Sequence, residues 1–377
     1  MEKFSLQIPA SSGVEASVKR ELEKLGYGKT SAVNGRIQLS LALCDVARLN
    51  VNLRCGERVL WVLDTFKALD FDQLYQNIYN FNWQELLPKD AKILLYAKSV
   101  KSKLGAIKSI TSVAKKAIVD KLKMHYKCDL FESGARFMIE IDIFEDVATV
   151  TLDTSGDGLH KRGYRTLAYS APLKETLASA LIDMSYFHPE KPFADVFCGS
   201  GTLPIEAAMI ACNVAPGLNR QFDCQKWGDS FQKAVEIAKE EAKDKMCLDR
   251  EVNIKGFDIS ENAVSIARYH ARRAGVENKI HFQQADARNF STKAKFGVLI
   301  SNLPYGIRIG KEQDLALLYK DFGTMVRALP DWNCYVLTPD AKFERLFGQK
   351  AQKHRKLYNA NIECCYYSFP SKNKPTK

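Results

Sequence analysis

Two stretches of this 377-residue chain carry side chains whose types and spacing could do chemistry. The first, Ala194-Asp195-Val196-Phe197-Cys198-Gly199-Ser200-Gly201-Thr202-Leu203-Pro204, reads as a buried strand ending in an acid, a tight loop and a helix. Gly199 and Gly201 permit backbone conformations or close approaches that a Cβ would block. The loop opens on a helix N-terminus, whose unpaired N–H groups and partial positive charge suit a ligand carboxylate or phosphate. The second, Ile300-Ser301-Asn302-Leu303-Pro304-Tyr305-Gly306, again closes an apolar run, here with an amide, a proline turn and an aromatic ring. The Asn302 side-chain oxygen and the Leu303 or Pro304 carbonyl could accept both hydrogens of a weakly nucleophilic amine and aim its lone pair. Tyr305 could stack on the ring that bears it. Asp258 and Asp286 end two further apolar runs. Asp195, Asp258, Asp286 and Asn302 thus all fall at strand ends, where parallel sheets bind ligands.

Several other chemistries are disfavoured by what the chain lacks. Pro204 stands where a dinucleotide fingerprint needs its third glycine, and the Gly-Lys-Ser/Thr ending of a nucleotidase loop is absent. Covalent activation of a pyrimidine carbon needs a cysteine near the active strand, and none lies between Cys247 and Cys334. The ten cysteines include no Cys-x-x-Cys pair, so reduced core thiols are expected and no metal site. A net charge of +11 points to an acidic partner, nucleic acid first and an anionic membrane second. No signal-peptide hydrophobic region opens the chain, and no apolar run approaches the ~20 residues that span a bilayer. A cytoplasmic protein without membrane contact is the expectation.

The length suggests two or three domains. Strands are expected at 4–9, 37–41 and 59–66, with helices at 14–25, 43–51 and 71–81, a small α+β unit running into a second. Between Lys98 and Lys127 lie nine lysines opposed only by Asp120. Within that run, residues 106–122 space Ile107, Ile110, Val113, Ala114, Ala117, Ile118 and Leu122 as the buried stripe of a helix. Its lysine face, with Lys108, Lys115 and Lys116, is either a solvated surface or a face that tracks phosphates. Strands at 135–143 and 147–152 follow. The polar stretch 153–165 ends in Lys161, Arg162, Tyr164 and Arg165. A linker is the plain reading, but guanidinium groups and a ring also suit phosphate contacts and base stacking. From residue 194 onward strands alternate with helices, including a solvent-facing charged helix at 229–250, which implies a parallel, doubly wound sheet. Trp227, in the long insertion between Gly201 and Asp258, is read as core. The last residues, 372–377, are expected to be a disordered tail.

A lysine-bearing helix beside a small sheet resembles the THUMP domain, an RNA-binding module. The junction 153–165, Ala171-Pro172-Leu173-Lys174-Glu175-Thr176-Leu177-Ala178, the glycine loop through Ala208, and Ala215-Pro216-Gly217-Leu218-Asn219-Arg220 together resemble the THUMP-containing RNA guanine-N2 methyltransferases of the bacterial 23S rRNA type. The resemblance covers essentially the whole chain. It implies an α/β fold: a Rossmann-like class I methyltransferase domain at 161–377, preceded by a ferredoxin-like α+β domain at 1–65 and a THUMP-like domain at 66–160. It implies S-adenosylmethionine as cofactor, with Gly199, Ser200, Gly201 and Thr202 at its methionine end and Asp195 toward its ammonium. Asp258 would meet the ribose, Asp286 and Ala287 the adenine, and Asn302 the cofactor's edge. Asn302, Pro304 and Tyr305 would be the catalytic set. RNA, foremost large-subunit ribosomal RNA, is the implied partner, held by Lys108, Lys115, Lys116, Lys161, Arg162, Tyr164 and Arg165; no obligate protein partner is expected. A tRNA enzyme and a non-catalytic RNA-binding assembly factor are the alternatives. DNA adenine and protein glutamine methyltransferases share the Asn-x-Pro-Tyr motif, but the basic N-terminal half argues against a protein substrate.

Overall fold

The computed structural model describes residues 3–33, 35–167, 173–304 and 312–373. Two seven-stranded sheets organise them. The first holds β1 (Phe4–Pro9), β2 (Ala32–Val33), β3 (Arg36–Leu41), β4 (Leu60–Lys67), β5 (Lys92–Val100), β6 (Arg136–Phe144) and β7 (Val147–Asp153), in the order β2-β3-β1-β4-β7-β6-β5. Helices α1 (Glu15–Lys24), α2 (Leu43–Asn52), α3 (Phe71–Asn80) and α4 (Ile107–Tyr126) pack on it. Strand β4 pairs antiparallel with both β1 and β7, so a boundary at 65/66 falls inside a strand shared by the two units. Strand β6 alternates as its sequence predicts, with Phe137, Ile139, Ile141 and Ile143 buried. They meet Ile110, Ala114, Ala117, Ile118 and Leu122 of α4 in one core.

The second sheet holds β8 (Phe193–Asp195), β9 (Ile254–Asp258), β10 (Ile280–Gln284), β11 (Val298–Asn302), β12 (Asn333–Thr338), β13 (Lys353–Asn359) and β14 (Ile362–Phe369), ordered β10-β9-β8-β11-β12-β14-β13. Helices α5 (Glu175–Asp183), α6 (Thr202–Ala211), α7 (Asp229–Asp244), α8 (Glu261–Arg273), α9 (Glu312–Arg327) and α10 (Phe343–Phe347) complete it. The sheet is mixed, not wholly parallel: β14 runs antiparallel to both β12 and β13, because a tight hairpin joins the last two strands. One core cluster runs from the first unit (Leu6, Ile8, Val18) through α5 and α6 into this sheet.

The insertion ties the units together. Trp227 stacks on Phe137 with ring centroids 5.0 Å apart and donates from Nε1 to the Arg136 carbonyl at 2.9 Å, a core role as read. Helix α7 is not simply solvent-facing: Val235, Ala238 and Ala242 are buried, and Glu241 takes a two-pronged bond from Arg48 of α2 at 2.7 and 2.8 Å. Among the described residues no helix is long and apolar enough to cross a membrane.

Candidate active site

From β8 the parallel sheet is laid down one way through β9 and β10 and then the other way through β11 and β12, so the strand order switches between β8 and β11, the position where such sheets open a crevice at their carboxyl ends. A cleft of about 560 Å³ lies there, walled by the residues that follow β8, β9, β10 and β11, with Asp314 and Leu318 of α9 opposite. Phe197, Gly199, Asp258, Asp286, Ala287, Asn302 and Pro304 all line it, so residues spread over more than a hundred positions meet in one place. Tyr305 lies outside the described residues, as do Ala171 and Pro172.

The glycine loop has the conformation its composition requires. Gly199 and Gly201 have φ of 52° and 85°, the left-handed region. A Cβ on Gly201 would sit 2.9 Å from that of Ala267, so α6 and α8 are drawn together over a residue without a side chain. Ser200 and Thr202 are buried, and the Ser200 carbonyl lies 3.2 Å from Nδ1 of buried His270. Asp258 joins two loops: Oδ2 accepts from Gly199 N–H at 2.9 Å and Oδ1 from Ser260 N–H at 3.0 Å. The helix-capping role belongs to Ser260, which accepts from Ala263 N–H, so Asp258 faces the cleft without serving as a cap.

Asp195 turns inward instead of lining the cleft. It is 2 % exposed, and its Oδ1 accepts from Ser301 Oγ at 2.8 Å and Phe197 N–H at 3.0 Å. Burial pushes its carboxyl up to about 7, and the nearby Asp258 charge adds to the rise. A folded value above the unfolded one means that folding takes up a proton, so this group's support is present at low pH and fades as pH rises through 7. The stability difference between wild type and Asp195→Asn, followed by urea melts at pH 5.5 and 8, is expected to move in favour of the asparagine at the higher pH. A pH-independent difference would mean that the carboxylate is charged throughout.

Asp286 caps a short turn by accepting from Arg288 N–H at 2.9 Å. The Arg288 guanidinium also clasps it at 2.5–3.0 Å, which holds the carboxyl below its ordinary range. Arg288, unforeseen from the sequence, thereby enters the cleft wall. Asn302 is the conspicuous member: its Oδ1 is shielded from solvent and has no hydrogen-bond partner among the described residues. Buried acceptors are nearly always paired, so one left open at a cleft wall invites a donor from a ligand. Beyond it, Leu303 N–H is tied to Leu337 at 3.0 Å, and the Pro304 carbonyl accepts from Tyr319 Oη at 3.4 Å with one lone pair to spare.

The expected RNA contacts divide. Lys108 and Lys116 are exposed on α4, the latter over the Tyr75 ring. Lys115 is drawn sideways to the Ile93 carbonyl and Glu132, both at 2.6 Å. Lys161 is exposed beside Asp157. Arg162 and Tyr164 are corrections: each is 2 % exposed, and neither can reach an RNA. Their partner is Glu206, a fully buried acid on the otherwise apolar α6, which accepts from Tyr164 Oη at 3.1 Å and Ser179 Oγ at 2.6 Å and lies 3.5 Å from Arg162. Arg165 is half-buried against Glu175 at 2.9 Å. A lone acid in an apolar helix was the sequence signal for these pairings, since a buried carboxylate needs partners.

Comparison with known proteins agrees with this architecture. Residues 162–368 match the RMKL-like methyltransferase domain model, residues 5–60 the RlmL ferredoxin-like domain and residues 68–153 the THUMP domain. The chain is 39 % identical over 380 residues to "Putative RNA methyltransferase YpsC" of Bacillus subtilis, covering 100 % of this chain and 98 % of that one. It is 33 % identical over 375 residues to the ribosomal RNA large subunit methyltransferase K/L of Psychromonas ingrahamii, covering 97 % of this chain but only 50 % of that protein. The chain therefore spans about half the length of that relative. The crystal structure of SMU.472 complexed with SAH superposes with a TM-score of 0.92 at 39 % identity, over 99 % of this chain and 100 % of that one.

Proposed function

We propose that this chain, which belongs to the RMKL-like methyltransferase family, methylates the exocyclic N2 of a guanine in large-subunit ribosomal RNA. The observation that carries the reading is the open, buried Oδ1 of Asn302 at the wall of the strand-end cleft. The methyl donor is S-adenosylmethionine, which supplies an electrophilic methyl when bound. The SAH bound in SMU.472 supports this choice. So do the left-handed glycine loop and the two strand-end carboxylates of the cleft.

Loop residues Gly199, Ser200, Gly201 and Thr202 would take the methionine end. Asp258 keeps one lone pair on each oxygen for the ribose hydroxyls, and Asp286 with Ala287 would take the adenine. Asn302 Oδ1 would accept one hydrogen of the guanine amine and the Pro304 carbonyl the other, which turns the nitrogen lone pair toward the methyl. Tyr305 would stack on the base. Rate then comes from placement and electrostatics, with no strong base required. Because the amine lies inside a helix stack, the target must be flipped out or already exposed.

The substrate reading rests on the matched THUMP domain, the net charge of +11 and the names of the relatives. A ferredoxin-like and a THUMP unit that share β4, followed by a catalytic unit at 161–377, with Lys108, Lys116 and Lys161 facing the RNA, suit work on cytoplasmic ribosomal RNA. Nucleoside mass spectrometry of ribosomal RNA and tRNA, with and without the gene, tests it. Loss of N2-methylguanosine from the large-subunit fraction is the expected result. Loss from tRNA alone would keep the mechanism and replace the substrate. No loss from either would overturn the reading.

A further inference from the structure

We propose that Ser301 is the positioning residue that sets the gap between the glycine loop and Asn302, and hence between methyl donor and acceptor amine. The inference rests on the function proposed above and names a residue that it does not use.

The argument starts from where two strands part. Strands β8 and β11 pair only at Phe193↔Val298 and Ala194↔Leu299. Strand β11 stays paired with β12 as far as Asn302↔Leu337. From Asp195 onward the backbone ladder between β8 and β11 therefore stops, and the crevice begins. Among the described residues, the side chain that hydrogen-bonds across the opening is that of Ser301. Ser301, 0 % exposed, accepts from Val196 N–H at 3.2 Å and donates to Asp195 Oδ1 at 2.8 Å. Its hydroxyl replaces the missing ladder with one donor and one acceptor, which is all that a hydroxyl needs to bridge two groups.

What hangs from this bridge gives it a consequence. On one side, Asp195 also takes Phe197 N–H at 3.0 Å and so shapes the first residues of the glycine loop. On the other, the next residue in the chain is Asn302, whose Oδ1 has no partner among the described residues to hold it. The separation of the two halves of the site is thus fixed by Ser301 and by nothing else among the hydrogen bonds of the described residues at that level. Methyl transfer is sensitive to such a spacing, since a misplacement near 1 Å costs about 100-fold in rate. Removing the hydroxyl also leaves Val196 N–H without an acceptor in a dry site, a local penalty that slackens the loop.

The test compares wild type with Ser301→Ala, Ser301→Thr, Asp195→Asn and the Ser301→Ala/Asp195→Asn double variant. Three readouts are taken: SAH affinity by calorimetry, turnover on ribosomal RNA, and amide hydrogen exchange of the peptide carrying Val196 and Phe197. For Ser301→Ala we expect turnover to fall by roughly 10- to 100-fold with SAH affinity changed far less. Exchange at Val196 should quicken while the melting temperature falls by only a few degrees. Threonine, which keeps the hydroxyl, should recover turnover and protection. The double variant should be no worse than the worse single one, as expected for two groups acting as a unit. Wild-type turnover in Ser301→Ala, or parallel loss of affinity, turnover and melting temperature, would overturn the proposal. If added methyl bulk unfolds the threonine variant, the exchange and double-variant arms still decide. A wild-type enzyme that binds SAH but makes no N2-methylguanosine would count against the proposed function, whereas the exchange arm would still report on the bridge.

Discussion

Replacing Asn302 with alanine is expected to lower turnover about 100-fold or more, close to 2.7 kcal/mol of barrier, while SAH binding in a calorimeter stays nearly intact. The asymmetry follows from the resting geometry. Among the described residues the Asn302 Oδ1 accepts no hydrogen bond, so deleting it removes a buried acceptor left bare. Its contribution would be made only when an amine is presented, which is the signature of an interaction formed in the transition state. The melting temperature should therefore hold or rise. Equal loss of cofactor affinity and turnover would move Asn302 from the amine to the cofactor.

The second large effect is on stability. Arg162→Met is expected to cost about 3 kcal/mol or more, as removal of one partner from a buried ion pair does. Arg162 and Glu206 have side chains 1 % and 0 % exposed. Arg162 also donates to the carbonyls of Leu53 and Leu159 at 3.4 and 2.7 Å and to that of Arg54 at 2.5 Å. One guanidinium therefore serves the first unit, the junction and the helix that follows the glycine loop. Losing it strands several acceptors at once, including a carboxylate left with two neutral donors. A lower urea midpoint tests this, and pairing the change with Glu206→Gln should return part of the loss. A midpoint unchanged by Arg162→Met would show that water fills the gap.

Much of the site was legible because strand ends are marked twice, by the close of an apolar run and by the polar residue that follows. Asp258, Asp286 and Asn302 could be placed from that pattern alone. The inward turn of Asp195 could not, since its partner Ser301 arrives from 106 positions away. Arg162 and Tyr164 misled for a related reason: cations and rings advertise surface chemistry until the acid that buries them is known. The elements missed by pattern reading share a physical cause. Helix α5 is buried on nearly every side, so it has no amphipathic period. Strand β13 sits at a sheet edge with Lys353, His354, Arg355 and Lys356 all exposed, which erases the alternation of a half-buried strand. In β5 only Ile93 and Ala97 are buried, four positions apart, so the alternation of a half-buried strand is missing there too.

Strand β4 has a consequence for inheritance and for engineering. It is hydrogen-bonded to β1 on one flank and β7 on the other, so the ferredoxin-like and THUMP units share a spine. Cutting the chain at 65/66 would give two fragments, each with a raw sheet edge, the template on which strands aggregate. The smallest piece that can be transplanted onto another catalytic domain is thus the pair together. A chimaera cut after β7 would keep that spine, but would also have to rebuild the core that the first unit shares with α5 and α6.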